Sequence, residues 1–489
     1  MPEAQTQKKL SLFDVTNLVI GAIIGADIYV ASSFGAGYLG PFSLIVWVLA
    51  GLIAIVIALC FAQCAAIIPK VGGPYAYAKE AWGPFAGFSV GWSLWFAEWI
   101  SLAVFPMAFT RYLMFFFPNM DFFTQILVKG AFVAFLAVTN IVGVRAAGKI
   151  NDILTIAKLA PLIFFTIAGI SWMVFNPSLT LANCTPFSPF GFSNFGTAVV
   201  LIFWAYAGFE ISTIPSEEIT ELRKTIPKAI IIGILIVTIF YLLTNLVLFG
   251  IRNWGMLATD AAPLAMATNS ILTSLPILAF IGGAIVGVGA LISVAGSDES
   301  GMIGTSRLGY ALAADGLFPT VFARIHKKFK TPYISIVIQS VTALVASILG
   351  NLGLLISVSV FFLAFAYLAT SASLFTFHKR GLTPSAHSKR HLVIPALGVI
   401  FSIYLITQCT PIQLAIGALL LLMGVPIYIK YSPKKELTDL KKSLQSNQTT
   451  FKRIYEQEHV FIAHVILHAR QAYNRVTKKR KDKSVKYSD

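Results

Sequence analysis

Charge is what this sequence has least of: Asp, Glu, Lys and Arg make up 12% of its 489 residues, against 57% hydrophobic residues and a mean hydropathy of +0.78. So little polar surface cannot cover a soluble globule, which excludes that class and predicts a polytopic membrane protein. Cysteine is scarce too. Cys60, Cys64, Cys184 and Cys409 lie mostly in apolar runs with no metal-ligand grouping, and Cys60 and Cys64, one helical turn apart, read as small helix-packing residues. The histidines fall outside the apolar runs: His326, His378, His387 and His391 in loops, and His459, His464 and His468 at roughly one-turn spacing near the C-terminus, where a metal is the weaker reading. Walker loops, dinucleotide glycine fingerprints and nucleophile elbows are absent, so neither a primary pump nor an enzyme is expected, and no cofactor is required. Met1 to Leu10 is polar, so no cleavable signal is expected.

What is abundant is long apolar runs. Spans can be drawn at 14–38, 41–68, 85–115, 123–143, 153–175, 193–217, 227–251, 276–298, 331–349, 352–377, 392–410 and 412–430. That is about twelve membrane helices, which places both termini on one side. Lys8, Lys9, Lys70, Lys79, Arg145, Lys149, Arg223, Lys224, Lys228, the Arg324–Lys330 and Lys379–Arg390 stretches and the C-terminal tail fall on that side, leaving Lys129 and Arg252 opposite. By the positive-inside rule the first side is cytoplasmic. The net charge of +16 is then a record of topology, and no nucleic-acid partner is implied.

The chain divides into a transmembrane domain, residues 1–430, and a basic cytoplasmic tail, 431–489. The tail carries apolar residues at helical spacing (Ile462, Val465, Ile466, Ala469) and ends in Lys478-Lys-Arg-Lys-Asp-Lys483. It reads as a solvated extension, or as a cluster resting on anionic lipid headgroups, where each cation contributes about 1 kcal/mol.

Two glycine-interrupted stretches roughly 180 residues apart, Gly21-Ala-Ile-Ile-Gly-Ala-Asp-Ile-Tyr-Val30 and Phe203-Trp-Ala-Tyr-Ala-Gly-Phe-Glu210, break the first and sixth spans. Unwound backbone at membrane depth is tolerated only where it is buried in protein or lines a cavity. Corresponding breaks in two halves of a chain point to a transporter's central site. A half-helix ending near Ile23 presents carbonyls and one starting near Asp27 presents amides, so the ammonium and carboxylate of a zwitterion would both find partners.

Several loop motifs resemble the amino acid–polyamine–organocation (APC) family of secondary transporters, from about Ser11 to Tyr431. Gly72-Gly-Pro-Tyr-Ala-Tyr-Ala-Lys79 with Trp82-Gly-Pro-Phe and Gly87-Phe-Ser-Val-Gly-Trp92 is similar to that family's loop between helices two and three. Gly304-Thr-Ser-Arg-Leu-Gly-Tyr-Ala-Leu-Ala-Ala-Asp-Gly-Leu-Phe-Pro319 resembles its loop after helix eight. Glu217-Glu-Ile-Thr-Glu-Leu-Arg-Lys-Thr-Ile-Pro227 is similar to its segment after helix six, with Glu221-Leu222 in place of the usual Asn-Pro. The resemblance implies an all-α LeuT-type fold: a 5+5 inverted repeat with discontinuous helices 1 and 6, plus two appended helices.

Carried over position by position, the carbonyls of Ile23, Trp204 and Ala207 would receive a substrate ammonium and the amides of Gly25, Ala26 and Asp27 would face its carboxylate. Trp204 matches a tryptophan that closes over substrate, with packing as the bland alternative; Tyr206 is a weaker candidate. Glu210 falls on the family's Gly-Phe-Glu motif, where it ties the broken helix to its surroundings or carries a proton. Lys158 stands in the fifth span, where proton-coupled members place a lysine in the region that sodium-coupled relatives give to a cation; snorkelling is the alternative. Glu98 either approaches the cavity or anchors helix 3 through a Trp or Ser hydrogen bond. Asp298 and Arg307 read as an acid–base pair at a cytoplasmic gate. Asp27 departs from the family's small residue at the break and is open to two readings: the N-cap of the second half-helix, or an acidic group that attracts amines.

The expectation is a proton-coupled secondary transporter of the plasma or inner membrane for an amino acid or related amine. A polyamine or amine carrier and an amino acid exchanger are the alternatives, and a non-transporting sensor a distant one. Its partners are the substrate, protons and the lipid bilayer.

Overall fold

A computed structural model describes residues 11–68, 72–143, 147–210, 222–271, 275–382 and 392–432, with the backbone alone at 147–158 and 222–223. It is all α-helical among the described residues. The helices are α1 (Leu12–Ile23), α2 (Asp27–Leu39), α3 (Ser43–Ile67), α4 (Pro74–Trp82), α5 (Pro84–Leu113), α6 (Phe122–Val142), α7 (Ala147–Phe175), α8 (Pro177–Asn183) and α9 (Phe195–Phe203). They continue with α10 (Leu222–Ile251), α11 (Trp254–Thr259), α12 (Pro263–Ile271), α13 (Pro276–Ala314), α14 (Tyr333–Leu349), α15 (Leu352–Lys379), α16 (Val393–Thr407) and α17 (Pro411–Tyr431).

By length and composition, seven stretches among the described residues can cross a membrane, and Leu159–Phe175, bent by 110° into α8, makes an eighth. The other predicted crossings are shorter apolar helices: α1, Phe195–Tyr206, α14 and α16. Asp27–Ile67 counts as one stretch of 41 residues by this measure. At 1.5 Å per residue it would reach about 60 Å, twice the hydrocarbon thickness. It is divided at Gly40, whose φ of +63° ends α2 and opens a short 3-10 turn, Gly40–Phe42. Only glycine fits there, because a Cβ would sit 2.6 Å from Pro189 Cγ.

Observed and predicted spans agree closely where the described residues cover them, except at two places; the sixth span, drawn to 217, runs partly outside those residues. The stretch Gly304–Ala314, read from the sequence as a loop, continues α13 as helix, so that α13 runs 39 residues instead of ending near 298. The loop between α3 and α5 carries α4, set off by Gly73 at φ +51° and Gly83 at φ +94°. Arg380 at the end of α15 donates to the Glu80 and Ala81 carbonyls at 2.8 and 2.9 Å, clamping α4 to that helix.

Cys60 and Cys64 are buried free thiols that donate to the Ile394 and Thr370 carbonyls at 3.6 and 3.4 Å, so they serve helix packing as expected. At the face opposite α4, Arg252 forms a fork on Asp260, with one guanidinium nitrogen 2.9 Å from Oδ1. Lys129 donates to the Ser347 carbonyl at 2.9 Å. The segment 211–221, the Lys158 side chain, His387, His391 and the tail beyond 432 lie outside the described residues.

Candidate substrate site

Ile24, Gly25 and Ala26 separate α1 from α2. The carbonyl of Ile23 accepts a hydrogen bond from the Tyr241 hydroxyl of α10 at 3.2 Å, and that of Gly25 accepts from Ser293 of α13 at 3.1 Å. A carbonyl has two lone pairs, so each keeps one for a ligand. Gly25 is also hemmed in by α13: a Cβ there would lie 2.6 Å from Ser297 Oγ and 3.3 Å from Asp27 Oδ2.

Asp27 is buried at the first position of α2, not at its cap: Ala26 occupies the N-cap and provides no side-chain cap. Of the two readings open for Asp27, the N-cap one does not match its position, which is the first residue of α2. Its carboxylate turns back toward Gly25, at the positive end of the helix dipole.

The second break follows α9. Trp204–Tyr206 form one 3-10 turn, Ala207 is extended and Gly208 stands at φ +115°. A Cβ at Gly208 would run into the Ala22 carbonyl, so the two breaks meet backbone to backbone, and glycine at this point is what allows it. The Trp204 carbonyl accepts from Ala207 N–H at 3.1 Å. Glu210 Oε2 accepts from Gly208 N–H at 3.0 Å and from the Tyr367 hydroxyl of α15 at 3.1 Å. The structural reading of Glu210, a tie between the broken helix and its surroundings, has its partners here.

The Trp204 indole is 3% exposed, lies 6.1 Å from the Phe105 ring and donates to Ser101 Oγ at 3.3 Å. Ser101 is 3.0 Å from Ser359 Oγ, and both hydroxyls reach the Ala97 carbonyl at 3.0 Å. This network ties the sixth span to α5 and α15. Tyr206 turns the other way and donates to the Trp47 carbonyl at 2.7 Å, which makes it a packing residue of α3.

Glu98 makes no hydrogen bond among the described residues and stands close enough to Glu210 and Asp27 to feel their charge, so the Trp or Ser anchor expected for it is not formed. Three carboxyl groups thus surround the breaks. Lys158 is the twelfth residue of α7, about 16 Å from its start. That is deeper than the span drawn from 153 implied. The expected Asp298–Arg307 pair does not form: Asp298 is buried, Arg307 is exposed, and nine residues of continuous helix separate them by about 13 Å.

The sequence reading missed Tyr241, Tyr367, Ser101, Ser359, Ser293 and Ser297. Their only signal was a polar atom inside an apolar span, which is common enough to carry little weight on its own.

A first span interrupted at 24–26, touching backbone to backbone the turn that ends α9 inside an all-helical bundle, fits the architecture of a secondary transporter. The family model for amino acid permeases matches residues 10–431. This chain belongs to the amino acid permease family. It is a multi-pass transporter, not an enzyme, and its family and relatives support amino acid transport. Among curated relatives, the permease is 27% identical over 453 residues to the branched-chain amino acid permease BcaP of Bacillus subtilis, covering 88% of this chain and 94% of that one. It is 30% identical over 370 residues to the methylthioribose transporter of the same organism, covering 71% and 76%. It is 27% identical over 448 residues to that organism's serine/threonine exchanger SteT, covering 88% and 97%. The permease is thus similar to proteins named for quite different cargoes.

Proposed function

We propose that this permease imports an amino acid or related amine across the plasma or inner membrane, driven by protons, with both termini cytoplasmic. The observation that carries the reading is the contact of Gly208 with the Ala22 carbonyl, which brings the break after α9 against the break between α1 and α2. The substrate ammonium binds between the Ile23, Trp204 and Ala207 carbonyls, and its carboxylate faces the amides of Gly25, Ala26 and Asp27. Trp204 closes over it as a flat apolar lid. Lys158 and Glu210 respond to the proton. The positions of Arg324, Lys327, Lys328, Lys330, Lys379 and Arg380 at one end of the bundle support the orientation, and the basic tail after 432 rests on anionic lipid.

Exchange is the second reading, favoured by the likeness to a protein named a serine/threonine exchanger. An amine substrate is favoured by the Asp27 carboxylate lying against Gly25. Uptake of labelled amino acids and amines into proteoliposomes, with and without an inward proton gradient and with and without internal substrate, tests all three. Accumulation that follows the proton gradient supports import. Uptake that requires internal substrate and ignores the gradient replaces it with exchange.

A further inference from the structure

Among the described residues, nothing around the Asp298 carboxyl group holds a charge. It is 1% exposed, and neither oxygen touches solvent or has a hydrogen-bond partner among the described residues. It stands on α13 one residue after Ser297, which lies against Gly25, and five after Ser293, which donates to the Gly25 carbonyl. Its depth is therefore that of the first break.

Around the helix Asp298 turns away from the break, toward α5 and α14. Three residues on, Gly301 faces Leu102 of α5, whose Cδ2 would lie 3.3 Å from a Cβ added there; four residues on, the Met302 carbonyl accepts from Gln339 of α14 at 2.9 Å. Ser335 reaches the Ser306 carbonyl at 3.3 Å, so α13 and α14 run antiparallel in steps of four residues. The next step sets Ala343, a methyl group, opposite Asp298.

The described titratable and charged groups on the surrounding helices lie elsewhere or have other partners. On α5, Glu98 is near enough to Glu210 and Asp27 to feel their charge, Arg111 reaches the Asp260 carbonyl at 3.4 Å, and the Tyr112 hydroxyl reaches the Tyr29 carbonyl at 3.1 Å. On α6, Lys129 is bonded to Ser347. Tyr333 of α14 packs on His326, ring centroids 5.5 Å apart. On α13 itself, Arg307 is exposed, and Glu299 and Tyr310 are half-buried, pointing to other sides of the helix. Lys149, Asp152 and Lys158 of α7 have side chains outside the described residues, and no charged group acts on Asp298 among those described.

An ionised carboxylate removed from water without a counter-charge or donor costs several kcal/mol. The neutral acid costs far less. We propose that Asp298 is a proton-binding site and carries a coupling proton, a reading that rests on proton-driven import as proposed above. The acid form fits α13 packed on α5 and α14. When transport moves α13 and admits water from one side, the carboxyl O–H bond breaks, the proton passes to water as hydronium and the hydrated carboxylate remains. Reprotonation from the other side restores the packed state. Because Ser293 and Ser297 share the same stretch of α13, that movement reaches Gly25 directly, and Pro161 of α7, packed on Gly289, carries it toward the helix of Lys158.

Two measurements on the full-length protein test this. Infrared difference spectra of the wild type against D298N, taken with and without substrate, should show a protonated-carboxyl stretch that D298N lacks and that changes on substrate addition. In proteoliposomes, wild-type accumulation should rise up to about tenfold per unit of imposed pH difference for one proton per substrate. D298N should keep substrate counterflow but lose that dependence. D298L, similar in volume and unable to ionise, serves if D298N does not fold. Absence of the band overturns the proposal whether or not transport is proton-driven. Accumulation by D298N or D298L with wild-type gradient dependence overturns it while leaving proton-driven import standing. A band present in a wild type whose uptake ignores pH removes proton-driven import, and the carrier role of Asp298 with it.

Discussion

Replacing Gly208 with alanine probes the contact on which the site is built. The added methyl would run into the Ala22 carbonyl oxygen, lie 2.9 Å from the carbonyl carbon and 3.4 Å from Ile23 N, all backbone atoms that cannot rotate away. The residue would also hold φ at +115°, where side chains other than glycine's are strained by about 1–3 kcal/mol. Overpacking adds about 1–3 kcal/mol. If even 2 kcal/mol of this is relieved by separating the two breaks, substrate affinity falls about thirtyfold. Gly304→Ala is the control, because a Cβ there meets nothing within 4 Å and the position is helical. That change should be neutral or stabilise by up to about 1 kcal/mol. Thermal unfolding in detergent and substrate titration would read both effects. A Gly208→Ala protein with the melting temperature and affinity of the wild type would refute the close approach of the breaks, and with it the site as drawn.

Lys158→Ala should abolish accumulation driven by a proton gradient in proteoliposomes while leaving substrate-induced thermal stabilisation in place; continued uphill uptake would remove Lys158 from coupling. Trp204→Ala should cost about 3–5 kcal/mol as a large buried side chain and slow transport, measured by unfolding and by initial uptake rates. Trp204→Phe keeps a ring near Phe105 and loses only the bond to Ser101, about 0.5–1.5 kcal/mol. For Asp27→Asn, an amine substrate should bind at least tenfold more weakly, since a carboxylate about 4 Å from an ammonium contributes about 4 kcal/mol before desolvation at an effective dielectric near 20. Titration with a monoamine, a polyamine and a neutral amino acid distinguishes this from a zwitterion site, for which the loss of a nearby anion should leave affinity equal or improved.

The spans were legible because lipid imposes one length and one composition on any helix that crosses it, and 352–377 or 412–430 needed nothing more. The two breaks were legible because glycine is rarely placed where it weakens a helix unless the backbone must turn or approach, as Gly208 does. Rotation of one helix against another was not legible, since a uniformly apolar helix shows no polar face from which to fix it. Ser101 and Ser359 are ordinary hydroxyls until α5 and α15 set them 3.0 Å apart. The same limit explains the Asp298–Arg307 expectation: nine residues suggested a pair only if the helix ended between them, and α13 runs straight through. The sequence leaves Asp27 between a cap and a charged group, because a shift of one residue separates the N-cap from the first helical position it occupies.

Tyr112, Tyr206 and Tyr241 each reach across to another segment and bind its main chain, at Tyr29, Trp47 and Ile23. A hydroxyl docked on a carbonyl asks nothing of the side chain attached to that carbonyl. Only one member of each pair is then under selection for the bond, and the other can drift without a compensating change. Relatives can therefore diverge to about a quarter identity and acquire new cargoes while the same struts stay in place, and such struts leave no trace of paired change between the positions they join.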